Sequence, residues 1–189
     1  VRCFVAIQLS TEVKRSISAG VAVLKEVVPS DAVRWVKEDN LHLTLRFLGS
    51  MEQPGLELIA EQLDAVASGS PGFELWLNAY GVFQNGNILK VLWASVGGDL
   101  APLTSLQAQI EAGVASLSPH TEATRYHPHV TIGRFLRNTM AQGVAISNVL
   151  NSQPIEPIAW QVEGFDLMGS QPGPGGPTYT VLQHYSLQG

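Results

Sequence analysis

At 189 residues the chain can form one domain, or two small lobes sharing an interface, around a sizeable core. It is 45% hydrophobic, yet it has no uncharged apolar run of about 18 residues, which excludes a membrane-spanning helix, and its single cysteine, Cys3, excludes an internal disulfide framework. A net charge of −5 argues against a general nucleic-acid coat, whose affinity comes from neutralising many phosphates at once.

In chain order, Arg2 to Leu9 alternates around Phe4, Val5 and Ile7 and predicts a buried strand. Val13, Ile17, Val21, Leu24 and Val28 recur at helical spacing over Thr11 to Val28, and Pro29 ends that helix. Ala32 to Val36 predicts a short strand and Leu41 to Leu48 a longer one, ended by Gly49. Pro54 to Ala67 predicts a helix with Leu56, Ile59, Leu63 and Val66 inward and Glu57, Glu61 and Asp64 outward. Strands Phe73 to Phe83 and Ile88 to Val96 flank Gln84-Asn85-Gly86-Asn87, whose Asn-Gly step signals a hairpin. Leu100 to Leu117 predicts an amphipathic helix and His129 to Phe135 a strand. A weaker helix spans Thr139 to Leu150, with Gly143 inside it. Trp160 to Met168 and Tyr179 to Leu187 predict two closing strands, separated by a Pro- and Gly-rich loop from Gln171 to Pro177.

Two of these strands carry the same pattern, His42-Leu43-Thr44-Leu45 and His129-Val130-Thr131-Ile132. Side chains alternate faces along a strand, so each His lies beside its own Thr while the apolar partners enter a core. The motifs stand 87 residues apart, close to half the chain. That spacing reads as a weak internal duplication of an α+β unit, giving two pseudo-symmetric lobes within one domain spanning 1–189. Each lobe is expected to hold a mainly antiparallel sheet with flanking helices. A twofold relation would set the two histidines across an interlobe cleft, where ligand sites tend to lie.

An imidazole titrates near pH 6.5, so one of the pair can give a proton while the other takes one, with a bell-shaped rate profile between about pH 5 and 8. Thr44 and Thr131 offer hydroxyl donors on the same face. Arg134 closes the second motif with a guanidinium fork suited to phosphate; strict alternation turns it away from His129, so reaching the same phosphate needs a twist or a bulge, which Gly133 would permit. Arg46 has the same parity as His42 but lies further along its strand, and His127 alternates onto the face of His129. Six of the 11 Lys and Arg residues, namely Arg34, Lys37, Arg46, Arg125, Arg134 and Arg137, lie within about ten residues of a motif histidine, a distribution that fits a small anionic ligand or one nucleic-acid end.

His127 and His129, with His42 as a third ligand, raise a zinc alternative, but no His-Glu-x-x-His motif, clustered cysteines or paired carboxylates accompany them, and no metal is expected. The chain also lacks a Walker loop, a Gly-x-Gly-x-x-Gly and a Gly-x-Ser-x-Gly, so no nucleotide cofactor is expected. His120 and His184 have no partner pattern and read as surface or structural residues. Trp35, Tyr126 and Phe135 could stack on bases, although core packing suits Trp35 and Phe135 better.

The residues from Arg2 to Ile7, Val33 to Val36, Asn40 to Gly49, His127 to Arg134 and Tyr179 to Leu182 together resemble the RNA 2′,3′-cyclic phosphodiesterases, also called 2′-5′ RNA ligases or LigT-like proteins, of the two-histidine phosphoesterase superfamily. The resemblance runs nearly end to end. It implies an α+β bilobal fold and metal-independent hydrolysis of an RNA terminal 2′,3′-cyclic phosphate to a 2′-phosphate. By that resemblance His42 is the proton donor to the departing 3′ oxygen and His129 the acceptor that activates water. Thr44, Thr131 and Arg134 would hold the phosphate oxygens, with Arg46 and His127 as further candidates. Ligation to a 5′-hydroxyl as a 2′-5′ bond would be a side reaction. The implied partners are RNA ends or nucleotides bearing a 2′,3′-cyclic phosphate, with no membrane and no obligate protein partner. The chain has no secretion-signal pattern at Val1 to Leu9, and a cytoplasmic monomer is expected. Two alternatives stand beside this reading: a phosphoesterase for another small cyclic phosphate, and a non-catalytic RNA-binding module of the same fold.

Overall fold

In chain order the protein forms β1 (Arg2–Gln8), α1 (Thr11–Val27), β2 (Val33–Trp35), a single 3₁₀ turn (Glu38–Asn40), β3 (His42–Ser50), α2 (Gln53–Ser68), β4 (Phe73–Asn85), β5 (Ile88–Gly98), α3 (Leu100–Val114), β6 (His129–Phe135), α4 (Gly143–Ser152), β7 (Ala159–Val162), β8 (Gly164–Gln171) and β9 (Thr178–Ser186). This computed structural model describes residues 1–121, 125–136 and 143–189, the last stretch by backbone alone over 143–145. Among the described residues no helix is long and apolar enough to cross a membrane.

The strands form one curled sheet in the order β7-β4-β5-β6-β3-β1-β8-β9, with β2 also paired to β6. All ladders are antiparallel, as short hairpin connections and half-buried alternation favour. The sheet divides in the middle. Strands β3 and β6 share a single paired position, Leu43 opposite Val130, and further along β6 the short β2 takes over the same edge at Gly133 to Phe135. The two motif strands therefore diverge from one point, and a cleft opens between a β3-β1-β8-β9 half and a β6-β5-β4-β7 half.

The helices cover the opposite face. Ser10 caps α1 by accepting a hydrogen bond from the Val13 amide at 3.2 Å, and Val13, Ile17, Val21 and Leu24 bury its apolar stripe. Pro54 sits in the first turn of α2, where no amide hydrogen is needed, and Ile59, Leu63 and Ala67 face inward. Leu103, Leu106, Ile110 and Val114 do the same for α3. One large core joins both halves, and Leu43, Val130 and Ile132 lie in it with no exposed surface.

Three sequence expectations change in detail, and a fourth falls partly outside the described residues. Trp160 to Met168 is two strands: β7 pairs with β4 in one half, and β8 pairs with β1 in the other. The phase slip between Trp160/Val162 and Phe165/Leu167 marks the crossover at Glu163. Gly49 does not end β3 but holds φ +79° inside it, beside a register shift against β1. In the hairpin Asn85 pairs with Ile88, so the two-residue loop is Gly86-Asn87 rather than Asn85-Gly86, with positive φ only at Gly86, the pattern of a type II′ turn. The helix expected from Thr139 is described from Gly143 onward; Arg137 and residues 138–142 lie outside the described residues.

Candidate active site

Leu43 and Val130 are directly opposed and point into the core. In the same antiparallel register the flanking positions His42/Thr131 and Thr44/His129 share the other face, which borders the cleft. Facing residues in such a ladder have Cβ atoms roughly 4.5–5.5 Å apart and diagonal ones about 7–8 Å. By this register His42 lies diagonal to His129, and each has both Thr44 and Thr131 as neighbouring positions.

Both motif strands then break their alternation in the same way. Ala6 pairs with Thr44 but Val5 with Arg46, and Trp93 pairs with Thr131 but Leu92 with Gly133. One extra residue, Leu45 in the first strand and Ile132 in the second, makes a bulge that reverses the facing of the residues that follow, in the first strand as far as the second shift at Leu48. Arg134 is carried back to the face of Thr131, as the resemblance requires. By the same device Phe47 comes to the face of Thr44, and Arg46 is driven inside.

Arg46 is therefore not a phosphate ligand in this geometry. It is 1% exposed, ion-paired with Glu111 of α3, and donates to the carbonyls of Phe47 at 2.5 Å and His120 at 2.8 Å. Parity alone misplaces it because the bulge intervenes. His127 keeps its ring exposed and acts through its backbone instead.

The two histidines are fixed by one shared arrangement. His42 Nδ1–H donates to the carbonyl of Asn40, and His129 Nδ1–H to the carbonyl of His127, each at 2.7 Å. A carbonyl only accepts, so Nδ1 carries the hydrogen and Nε2 is left for a ligand. His42 packs against Phe4 at 4.9 Å and the edge of Tyr179 at 5.2 Å, and His129 meets Phe83 edge-on at 4.8 Å.

Burial is the main force on their titration. It pulls His42 down to about 4, opposed by the bond to Asn40 and assisted by the charges of Lys14, Arg134 and His129. His129 is lowered too, first by burial, with its bond to His127 opposing and the charges of Arg134 and His127 adding. Arg134 also acts on the Tyr179 phenol, which burial raises and this guanidinium lowers. One cation thus reaches both motif histidines and Tyr179 of β9. An anion held here would offset it and favour the imidazolium form.

His42, Thr44, Thr131, Arg134 and Tyr179 line one cavity of about 510 Å³; His129 is not among its lining residues and packs against Phe83. The Tyr126 hydroxyl donates to the Thr44 carbonyl at 3.1 Å, so this aromatic residue anchors the first motif strand. Trp35 borders the cavity with the Lys25 ammonium 5.8 Å above its ring, and Phe135 packs on the core. The ring contacts of Phe4, Tyr179 and Phe83 escape a sequence reading, because their places depend on pairings between distant strands. So does the partner of His184, whose Nδ1–H donates at 2.6 Å to Asp166, a carboxylate that also accepts from Gln8 at 3.0 Å. Among the described residues no three His, Cys, Asp or Glu side chains gather as a metal-ligating group.

A family model described as the 2′-5′ RNA ligase superfamily matches residues 13–173. The RNA 2′,3′-cyclic phosphodiesterase of Thermotoga maritima is 30% identical over 190 residues, covering 100% of this chain and 96% of that protein. The protein of the same description from Methanothermobacter thermautotrophicus is 28% identical over 99% of both chains. Among solved structures, TT0787 of Thermus thermophilus matches with a TM-score of 0.79 at 28% identity, covering 100% of this chain and 99% of that one. E. coli LigT complexed with 3′-AMP matches with a TM-score of 0.74 at 25% identity, covering 98% and 97%.

Proposed function

Since this chain belongs to the 2′-5′ RNA ligase superfamily, we propose that it hydrolyses the 2′,3′-cyclic phosphate at RNA ends to a 2′-phosphate through its two motif histidines. The observation that supports this reading is the matched tethering of His42 and His129, each held through Nδ1 with Nε2 left for a ligand, in a register that sets both beside Thr44 and Thr131.

The anionic cyclic phosphate sits between the motif strands, and its charge favours protonation of one imidazole. His129 Nε2 takes a proton from water as the water oxygen bonds to phosphorus. The P–O3′ bond breaks, and His42 Nε2–H delivers its proton to that oxygen. One water is consumed, and the two rings exchange protonation states and reset through solvent. Thr44 and Thr131 donate to the non-bridging oxygens, and Arg134 stabilises the charge that builds on them. Side chains supply the acid, the base and the oxyanion donors, so the scheme calls on no metal. A 5′-hydroxyl in the place of water would give a 2′-5′ bond, but water at about 55 M keeps hydrolysis dominant.

The direct test follows phosphorus resonances while the protein acts on a nucleoside 2′,3′-cyclic phosphate, with and without exhaustive chelation. A 2′-phosphate as sole product, formed at the same rate after chelation, is the expected result. A 3′-phosphate, or no turnover, overturns the reading.

A further inference from the structure

Arg34 of β2 lies directly opposite Arg134 of β6. Both side chains are exposed, and neither forms an ion pair among the described residues. Like charges facing each other across a ladder destabilise the pair, so the empty fold bears a cost here that an anion between the two guanidinium groups would remove. The wider surroundings point the same way. The cavity that holds His42, Thr44, Thr131 and Arg134 is also lined by Arg34, Lys37 and Arg2, and among the described residues by no Asp or Glu, although the chain as a whole carries a net charge of −5. Its volume of about 510 Å³ suits a ligand of several groups rather than one phosphate.

The positive charges lie along one wall of the cavity, Arg34 at the register of Arg134 and Lys37 just past Val36, whose amide donates to the Ile132 carbonyl at 3.0 Å. The charge of Arg134 reaches both motif histidines. Arg34 stands beside it, one strand away. Lys37 follows after the end of β2, where its ammonium approaches Gly175 of the Pro-Gly loop that forms the far wall. A strand of RNA whose 3′ end carries the cyclic phosphate has its next phosphate on the 5′ side of the terminal nucleoside. The wall from Arg34 to Lys37, beside Arg134, is where that group would lie.

We propose that Arg34, assisted by Lys37, is a second phosphate subsite that binds the phosphate 5′ to the terminal nucleoside, so that the preferred substrate is an RNA end bearing at least two phosphates. This rests on the reading that the cyclic phosphate occupies the His–Thr quartet. A guanidinium fork offers two parallel donors to such a group, and the ammonium adds a point charge.

Three substrates separate the contributions: adenosine 2′,3′-cyclic phosphate, its 5′-phosphorylated form, and a dinucleotide ending in the same cyclic phosphate. The 5′-phosphate is expected to raise kcat/KM at least about tenfold, mainly through KM, because one charge-assisted contact is worth that much. Arg34→Ala should remove most of the gain and Lys37→Ala part of it. Arg15→Ala, an exposed charge on α1 outside the cavity, should keep it whole. Since Arg34 opposes a like charge, Arg34→Ala should melt no lower than the parent in the absence of ligand. The proposal is overturned if the first two substrates turn over equally well, if only the dinucleotide gains, which would assign the effect to the second nucleoside, or if Arg34→Ala keeps the gain. Loss of fold in that variant would equally overturn it, by giving Arg34 a structural role. No turnover of any of the three would instead overturn the phosphodiesterase reading itself.

Discussion

Leu43 faces Val130, and this one pair is the only position at which the two motif strands are joined. Both side chains are fully buried, so the contact that sets the facing of His42, Thr44, His129 and Thr131 is an apolar one. Leu43→Ala is expected to cost about 2–5 kcal/mol of stability, as core truncations do. It should also lower kcat by about tenfold or more under conditions where the protein stays folded, because small displacements between acid and base are costly. Leu63→Ala, equally buried on α2, supplies the control: a similar loss in denaturant midpoint with little change in kcat.

His42→Ala and His129→Ala should each lower kcat by about 10² or more, the usual worth of one positioned proton transfer. Neither ring is needed to hold the phosphate if Thr44, Thr131 and Arg134 do so, and the 2′-phosphate product should bind both variants with an affinity close to that of the parent. Full activity in either variant would make the site a binding module.

Burial moves both imidazoles to the acid side of their ordinary value, His42 to about 4. The kcat/KM profile reports the free protein, so its optimum should fall below pH 6.5, and the kcat profile should lie further to the alkaline side because bound phosphate favours imidazolium. Stability follows the same shift. Between pH 6.5 and about 4 the unfolded chain protonates this ring and the folded chain does not, so the contribution of His42 is complete above pH 6.5 and is lost as pH falls. The loss should reach up to about 3 kcal/mol near pH 4 and shrink in His42→Gln, as measured by denaturant unfolding at several pH values. An imidazole resonance of His42 that titrates near 6.5 would remove the basis for both effects.

Much of this site could be read from the sequence because it is written in local periodicity. Two His-x-Thr strands, their apolar partners and the 87-residue spacing define the halves and the facing of four side chains. The rest depends on non-local pairing. Gly133 signals the bulge in β6, but the matching bulge in β3 has no glycine to announce it, and Arg46 occupies the position that corresponds to Gly133. The carbonyl anchors of the two histidines lie only two residues upstream, yet they arise from backbone geometry just before each strand, which residue type does not encode. The Asp166–His184 pair joins two strands across the β8–β9 ladder, and no spacing rule links them.

Arg46 gives the sharpest test of that bulge. Its guanidinium is buried, held by Glu111 and by the carbonyls of Phe47 and His120, whereas Glu111 remains partly solvated with a side chain 34% exposed. Removing Glu111 takes the carboxylate from a buried cation that also donates to the carbonyls of Phe47 and His120, and Glu111→Ala is expected to cost about 3 kcal/mol. Truncating Arg46 returns the carboxylate to solvent but leaves a cavity and two carbonyls without their donor, so Arg46→Ala should cost a similar amount or more. Arg46→Met with Glu111→Leu should recover part of either loss, since apolar groups of similar volume avoid the desolvation of both charges. Because the bulge at Leu45 turns this side chain away from Thr44, folded Arg46→Met/Glu111→Leu protein should keep a KM for the cyclic phosphate within about twofold of the parent. A KM raised tenfold or more would place Arg46 on the phosphate, and the β3 bulge would have to be redrawn.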